Sequence, residues 1–263
     1  MNTIQKETFR AQSDRSVMIR ANIKRFYIYG VLLLIVFVFS MMKLDQVSFF
    51  GRGHFLSPYS IINLLRTAAP ILTLSGAFTL LLISGYIDLS VGSAMSLSAV
   101  VFAWMILHGF SFLPAMVITL VMGIMMGCLN GFLVLKLRIT PVIATLITLS
   151  LFQGIALLIV PDGLSAIKGS AEQAMPAWIN DYARRKILLG LPAAFFVALV
   201  VIAILVIAQR KTLLGKYAVA IGGNSAAAEL SGINVVQMAW LLYMIVGFFA
   251  ALAGIARASY MSL

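Results

Sequence analysis

The chain alternates between long apolar stretches and short polar segments. Seven of the stretches are long enough for membrane helices, because about 20 apolar residues cross a hydrocarbon core of roughly 30 Å. Backbone in lipid must satisfy its own hydrogen bonds in helices or in a closed barrel, and the alternating strands of a barrel are not seen. The pattern therefore predicts an all-α, polytopic transmembrane helix bundle with about seven membrane segments. These cover residues 26–42, 67–84, 89–107, 113–135, 141–160, 187–208 and 237–256.

The second and third stretches are separated only by residues 85–88, with the sequence GYID. So short a segment cannot form a free loop between two helices, and Gly85 and Gly92 allow the backbone to bend. Irregular backbone at membrane depth is tolerated only where it is buried in protein or lines a wet cavity. We therefore expect a broken or re-entrant segment near residues 85–93.

Composition and charge fit a membrane protein. Of the 263 residues, 62% are hydrophobic and 10% are charged, against roughly 45–50% and 25% in soluble domains. The net charge of +11 does not indicate a nucleic-acid partner, because membrane proteins collect basic residues in cytoplasmic loops and no basic run is interleaved with aromatic residues. The basic residues near helix ends predict a cytoplasmic N-terminus, with a basic tail at 1–25, a transmembrane domain at 26–263 in the lipid bilayer, and a cytoplasmic loop at 209–236.

No enzyme chemistry is indicated. The single cysteine, Cys128, excludes an internal disulfide or a Cys-x-x-Cys site, and His54 and His108 lack carboxylate partners at metal-ligand spacing. The strings GxSxG, HExxH and GxxxxGKS/T do not occur in the sequence. We expect no catalytic residue, no metal site and no cofactor bound by this chain.

Asp88 is the only acidic residue between Asp45 and Asp162. A carboxylate at the centre of a membrane helix costs about 2.5–3.5 kcal/mol on insertion scales, so such residues are usually functional. Two hypotheses stay open: Asp88 caps the following helix at the cytoplasmic surface, or it takes part directly in transport. Hydroxyl and amide side chains near it could hydrogen-bond a sugar-sized solute, or the small residues could serve only helix packing. The candidate pathway consists of Asp88, Ser90, Ser93, Ser96 and Asn130.

Three glycines in the fourth stretch, Gly123, Gly127 and Gly131, are spaced four residues apart. This spacing places them on one face of a helix and permits close contact with a neighbouring helix. We interpret the face as helix packing. Asn130 beside it is expected to hydrogen-bond either a neighbouring helix or a permeant.

Residues 220–235, AIGGNSAAAELSGINV, carry the signals of a short helix within the cytoplasmic loop. Asn224 or Ser225 suits the N-cap position, and Gly232 suits the stop. The segment is either a docking element for another protein or a plain connector.

Three strings together resemble the membrane subunits of ATP-binding-cassette importers for monosaccharides of the ribose, xylose, arabinose and galactoside type. They are GYIDLSVGS at 85–93, TPVIATLITLS at 140–150 and GKYAVAIGGNSAAAELSGINV at 215–235. The resemblance implies that a coupling helix in the loop contacts the ATPase subunit. The contact residues it implies are Asn224, Ser225, Ala227, Ala228, Glu229 and Gly232.

The same resemblance implies the partners and the location. ATP and Mg are bound by the partner ATPase, a second permease copy or a paralogue shares the pathway, and a periplasmic sugar-binding protein delivers the solute at a bacterial inner membrane. Members of that family continue beyond the position of Leu263, so the chain is expected to be a truncated product or a fragment.

Two other functions stay open on the sequence. One is an ion-coupled secondary transporter that uses Asp88, although such carriers usually place several ionisable residues at depth. The other is a non-transporting membrane scaffold, which would have no reason to bind an ATPase.

Overall fold

The structure, a computed structural model, describes residues 27, 29–38, 57–161 and 191–261. Within those ranges every regular element is a helix, which confirms the all-α prediction. The elements are α1 Tyr29–Val38, α2 Pro58–Ile83, α3 Val91–Leu107, α4 Phe112–Gly131 with a π-helical turn at Phe132–Lys136, α5 Pro141–Ile159, α6 Ala193–Lys211, α7 Leu213–Gly223, α8 Ser225–Leu230 and α9 Val235–Met261.

In the described part of the chain, five helices are long and apolar enough to cross a membrane. α1 and α3 are apolar but shorter than 18 residues, so the predicted number of seven membrane segments is not confirmed. α2 begins at Pro58 and not at residue 67. The predicted apolar stretch excluded residues 58–66 because Asn63 and Arg66 are polar, yet these residues are helical, and proline is well tolerated in a first helical turn. The five helices are α2, α4 with its π-helical turn, α5, α6 and α9.

By its internal contacts the chain divides into residues 1–61 and residues 62–263. In the first unit, α1 exposes apolar side chains such as Leu33, of which 69% is accessible. Such a surface fits a lipid environment. The basic tail predicted at 1–25 and the segment 162–190 lie outside the described residues.

α9 forms the centre of the second unit. It packs against both α3 and α4, and α3 also contacts α5. Ala250, Ala251 and Ala253 are fully buried along α9, and side chains this small let neighbouring helices approach closely in a membrane.

The glycine face of α4 lies directly against α9. A Cβ on Gly123 would overlap Ala251, and one on Gly127 would overlap the carbonyl oxygen of Tyr243. A Cβ on Gly131 would meet the ring of Trp240 at 3.5 Å. The two helices therefore touch along their backbones at Gly123 and Gly127, a contact that larger residues would prevent.

Helices α7 and α8 occupy the loop between α6 and α9. Asn224 caps α8, since its side-chain oxygen accepts the N–H of Ala227 at 3.0 Å. Gly232, with φ of +85°, follows the helix in the left-handed conformation that glycine favours. α7 adds a second helix before the short one expected from the sequence. Its side chains Ala218 and Ile221 join a buried cluster that includes Leu80, Leu81, Met238, Leu242, Tyr243 and Val246.

Candidate functional site

The chain between α2 and α3 is irregular, and buried residues alternate with exposed ones along it. α2 ends at Ile83, a turn follows at Ser84 and Gly85, and α3 begins at Val91. Gly85 has φ of +84°, which glycine adopts without the strain that a Cβ would bring. Ser84 and Asp88 are each 3% exposed. The irregular stretch, residues 84–90, which we term the break, overlaps the predicted range 85–93, but residues 91–93 already belong to α3.

The carboxylate of Asp88 accepts hydrogen bonds on both oxygens. Oδ1 accepts the backbone N–H of Ser90 at 2.8 Å and the hydroxyl of Ser90 at 2.7 Å. Oδ2 accepts the carboxamide Nδ2 of Asn130 at 3.0 Å. All three donors are uncharged, and bonds to a carboxylate are stronger than neutral ones. The buried acid is therefore stabilised by dipoles of the protein.

Asn130 of α4 extends these contacts to α5. Its Nδ2 also donates to the hydroxyl oxygen of Ser90 at 2.8 Å, and its Oδ1 accepts the hydroxyl of Thr148 at 2.6 Å. Asn130 and Thr148 are each 1% exposed. We term Asp88, Ser90, Asn130 and Thr148 the polar cluster. Its hydrogen bonds connect the break to α4 and α5. Each of these buried side chains has a hydrogen-bond partner, as stable interiors require.

Three of the five candidate pathway residues, Asp88, Ser90 and Asn130, thus come together. Ser93 lies beside them, and its hydroxyl donates to the carbonyl of Ser90 at 2.8 Å. Ser96 is half-buried further along α3 and is not part of the polar cluster. Sequence analysis did not identify Thr148. The apolar stretch that contains it has several hydroxyl residues, and their spacing does not set one apart from the others.

The capping hypothesis for Asp88 needs correction in two respects. The N-cap of α3 is Ser90, and Asp88 binds the amide of that residue and not an amide of the first helical turn. Asp88 is also buried within the protein and does not lie at an open surface. The contact is an Asx turn, which sets the direction of the chain as it enters α3.

Tyr243 of α9 contacts the same segment. Its hydroxyl donates to the carbonyl oxygen of Ile87 at 3.2 Å, and its ring meets that of Tyr86 edge-on with centroids 6.0 Å apart. Its side chain is fully buried. Sequence analysis missed Tyr243 because the contact spans 156 positions, and a tyrosine in an apolar helix carries no signal of so distant a partner.

The geometry indicates a structural role for Asp88. Within the described residues, no group of three or more His, Cys, Asp or Glu side chains could hold a metal ion. Both Asp88 oxygens are already occupied by protein donors. The hydrogen bonds of the polar cluster therefore hold Asp88 and Ser90 against α4 and α5.

The six residues expected to contact an ATPase divide into two groups. Ala228 is 4% exposed and belongs to the buried cluster that includes Leu81 and Met238, so its side chain faces the interior of this chain. Leu230, which sequence analysis did not single out, is 91% exposed at the end of α8. The other five expected contact residues are exposed: Asn224, Ser225, Ala227, Glu229 and Gly232.

Comparison with known proteins places these features in a family. Residues 60–263 match the family described as the branched-chain amino acid transport system / permease component. The ribose import permease protein of Haemophilus influenzae is 30% identical over 232 residues, which cover 88% of this chain and 68% of the relative. The fructose import permease protein of Bifidobacterium longum is 32% identical over 203 residues, covering 76% and 56%. The galactofuranose transporter permease protein of Escherichia coli K12 is 34% identical over 196 residues, covering 74% and 55%.

No solved structure matches the chain. The chain spans between 55% and 68% of the length of these three relatives. All three are transport permeases, in line with the expectation of a protein that is not an enzyme. The family match includes the break, the polar cluster and the loop with α7 and α8, and it covers most of the sequence. The chain therefore belongs to this family of transport permease components.

Proposed function

We propose that the chain is the membrane-spanning permease subunit of an ATP-binding-cassette importer for a monosaccharide or a similar small polar solute. The observation that carries the proposal is similarity over 74–88% of the chain to permeases named for ribose, fructose and galactofuranose. The family description names branched-chain amino acids, but the individual relatives favour a sugar. In this proposal the subunit is located in the bacterial inner membrane.

Energy and delivery come from other subunits in this proposal. The sequence has no phosphate-binding string, so a partner ATPase binds ATP and Mg. A periplasmic sugar-binding protein presents the solute, and a second permease copy or a paralogue shares the translocation pathway. Alternating access then follows from ATP-driven movement of the ATPase subunits against the permeases.

The surface offered to the ATPase is α8 and its flanking residues. Asn224, Ser225, Ala227, Glu229 and Gly232 are exposed there. Leu230 extends this surface as a fully projecting apolar side chain, the kind of anchor that enters a groove in helix-in-groove recognition. Ala228 on the opposite side of α8 packs on the core, so a force on α8 reaches α2 and α9.

We further propose seven crossings with the N-terminus in the cytoplasm. α3 has 17 residues and a length of about 26 Å, close to the roughly 30 Å of a hydrocarbon core. We assign the first crossing to the apolar stretch 26–42, which contains α1. The positive-inside rule then favours a cytoplasmic location for Arg210 and Lys211 at the end of α6 and for Lys136 and Arg138 after α4.

Uptake by reconstituted vesicles tests the importer function. The subunit is co-produced with the ATPase and the binding protein that the proposal expects in neighbouring reading frames, and labelled ribose, fructose and galactofuranose are offered in turn. Ionophores collapse the membrane potential and the pH gradient while ATP is maintained. We expect accumulation of one sugar. Abolition of uptake by the ionophores with ATP present would refute the proposal and favour an ion-coupled carrier.

A further inference from the structure

We propose that residues 84–90 are the segment through which the loop 209–236 acts on α3, α4 and α5. This inference rests on the proposed importer function, since it assigns the route by which movement of the loop reaches the membrane helices. The segment is attached at three places: to α7 at its start, to Tyr243 in its middle and to the polar cluster at its end.

The attachment to α7 is a contact between backbones. A Cβ on Gly222 would overlap the carbonyl oxygen of Ile83 and would lie 3.3 Å from the Cα of Ser84. A Cβ on Gly85 would in turn lie 4.0 Å from the Cα of Gly222. The three atoms nearest to a Cβ on Gly222 all belong to the backbone of Ile83 and Ser84. Because the two backbones already touch at Gly222, movement of α7 at this point displaces the segment or opens a gap between them.

The far end of the segment is fixed to two other helices. Asn130 of α4 binds Asp88 at 3.0 Å, and Thr148 of α5 binds Asn130 at 2.6 Å. Hydrogen bonds to a carboxylate resist separation more than neutral ones. Displacement of Asp88 is therefore passed to α4 and α5, and the connection through Ser90 passes it to α3.

Gly85 lies between the attachment to α7 and the attachment to Tyr243. Its φ of +84° places it in a region of backbone conformation that is open to glycine and strained for other residues. Such a residue can absorb the change in backbone direction that a hinge requires. The segment thus combines a hinge residue with fixed points on either side of it.

Two neighbouring glycines provide a matched test. Gly222→Ala places a methyl group against Ile83, whereas Gly223→Ala adds the same methyl group with no atom within 4 Å. Both changes affect helix propensity alike. In vesicles containing the assembled importer, we expect Gly222→Ala to lower the solute moved per ATP hydrolysed by roughly two- to thirtyfold, the range of coupling changes of about 0.5–2 kcal/mol. We expect Gly223→Ala to leave the ratio unchanged.

A reporter thiol on α3 can detect movement of this helix without a measurement of solute transport. In a Cys128→Ser background, Gly92→Cys places a cysteine in the first turn of α3 at an exposed position without close neighbours. Its rate of reaction with a maleimide should change when ATP and vanadate are added. We expect this response to persist with Gly223→Ala and to be lost with Gly222→Ala.

If Gly222→Ala prevents assembly, a second variant tests the same inference at the attachment to Tyr243. Tyr243→Phe removes the hydroxyl that binds Ile87 and keeps the ring, and it should lower the same ratio while the ATPase still co-purifies. The inference would be overturned if Gly222→Ala and Gly223→Ala gave the same ratio of solute moved to ATP hydrolysed and the same reporter response. If Gly222→Ala does not assemble, an unchanged ratio for Tyr243→Phe would overturn it. Failure of the unaltered subunit to transport with ATP would instead refute the importer function itself.

Discussion

Asn130 donates a hydrogen bond to Oδ2 of Asp88 at 3.0 Å across 42 positions of the sequence. The partner of the buried acid is thus a neutral amide, which avoids the desolvation cost of burying a second charge. The hydrogen bond has a fixed direction, because the amide nitrogen can only donate and the carboxylate can only accept. An exchange of the two side chains therefore tests it.

Asp88→Asn should destabilise the permease by about 1–3 kcal/mol, because it turns an amide nitrogen towards the amide nitrogen of Asn130 and leaves a buried donor unsatisfied. Thermal unfolding of the purified subunit in detergent measures the loss. We expect uptake to decline with the loss of folded protein and to remain driven by ATP.

The reciprocal double variant is the control. Asn130→Asp alone brings two carboxylates together and should be the most damaging change. In the double variant Asp88→Asn, Asn130→Asp, a donor again faces an acceptor, and Thr148 still donates to residue 130. The double variant should be more stable than Asn130→Asp alone. A loss equal to the sum of the two single losses would contradict direct pairing.

Thr148→Val should cost more stability than Thr145→Val. Thr145 and Thr148 are both buried on α5, with 0% and 1% of their surface exposed. Thr145 donates within its own helix, to the carbonyl of Pro141 at 2.7 Å, whereas Thr148 also satisfies Oδ1 of Asn130. Loss of that partner leaves a buried acceptor unsatisfied, at about 1–3 kcal/mol. Equal shifts in unfolding temperature would show that the Thr148 to Asn130 bond is not important.

The all-helical class and the approximate position of the break could be predicted because they depend on local properties. A long apolar run indicates a membrane helix without knowledge of its neighbours, and Gly85 at the start of GYID indicates a break in the same way. Asp88 and Asn130 were also recognisable, since each is a polar residue in an apolar region.

The partnerships within the site could not be predicted, because they depend on how helices are arranged. Thr148 and Tyr243 have the same sequence surroundings as other threonines and tyrosines of apolar helices, and only the packing of α5 and α9 brings them to the break. The burial of Ala228 is of the same kind. It depends on how α8 packs in a cluster that also contains residues of α2 and α9, while the sequence shows only three consecutive alanines.

Gly127→Ala should weaken the contact between α4 and α9. The added methyl group would overlap the carbonyl oxygen of Tyr243, whereas Gly154→Ala, on the exposed face of α5, meets no atom within 4 Å. Overpacking of this kind costs about 1–3 kcal/mol or more. Unfolding temperatures should fall for Gly127→Ala and stay near the unaltered value for Gly154→Ala. Because Gly→Ala by itself favours a helix, a similar fall for both variants would contradict the assignment of the loss to the contact between Gly127 and Tyr243.

Cysteine labelling in intact cells tests the proposed orientation. In a Cys128→Ser background, Ser225→Cys lies on exposed α8 and should be protected from an impermeant maleimide if the loop is cytoplasmic. Ser170→Cys, in the segment between α5 and α6, should react. Permeabilised cells provide the control, since Ser225→Cys should then react as well. Labelling of Ser225→Cys and protection of Ser170→Cys in intact cells would invert the topology.

Leu230→Ser should weaken binding of the ATPase without unfolding the permease. Leu230 is 91% exposed, so its replacement removes few contacts within this chain. An apolar anchor that becomes buried in a partner groove contributes about 1.5–3 kcal/mol, which corresponds to a fall in affinity of roughly ten- to more than a hundredfold. Co-purification of the ATPase and ATP-dependent uptake should decline together. Leu158→Ser at the end of α5, where the leucine is 83% exposed, makes the same chemical change outside α7 and α8 and should leave the ATPase bound. If instead Leu230→Ser retains the ATPase as well as Leu158→Ser does, then α8 does not use this side chain as its anchor, because a buried leucine at the interface could not be replaced by a hydroxyl without loss of affinity.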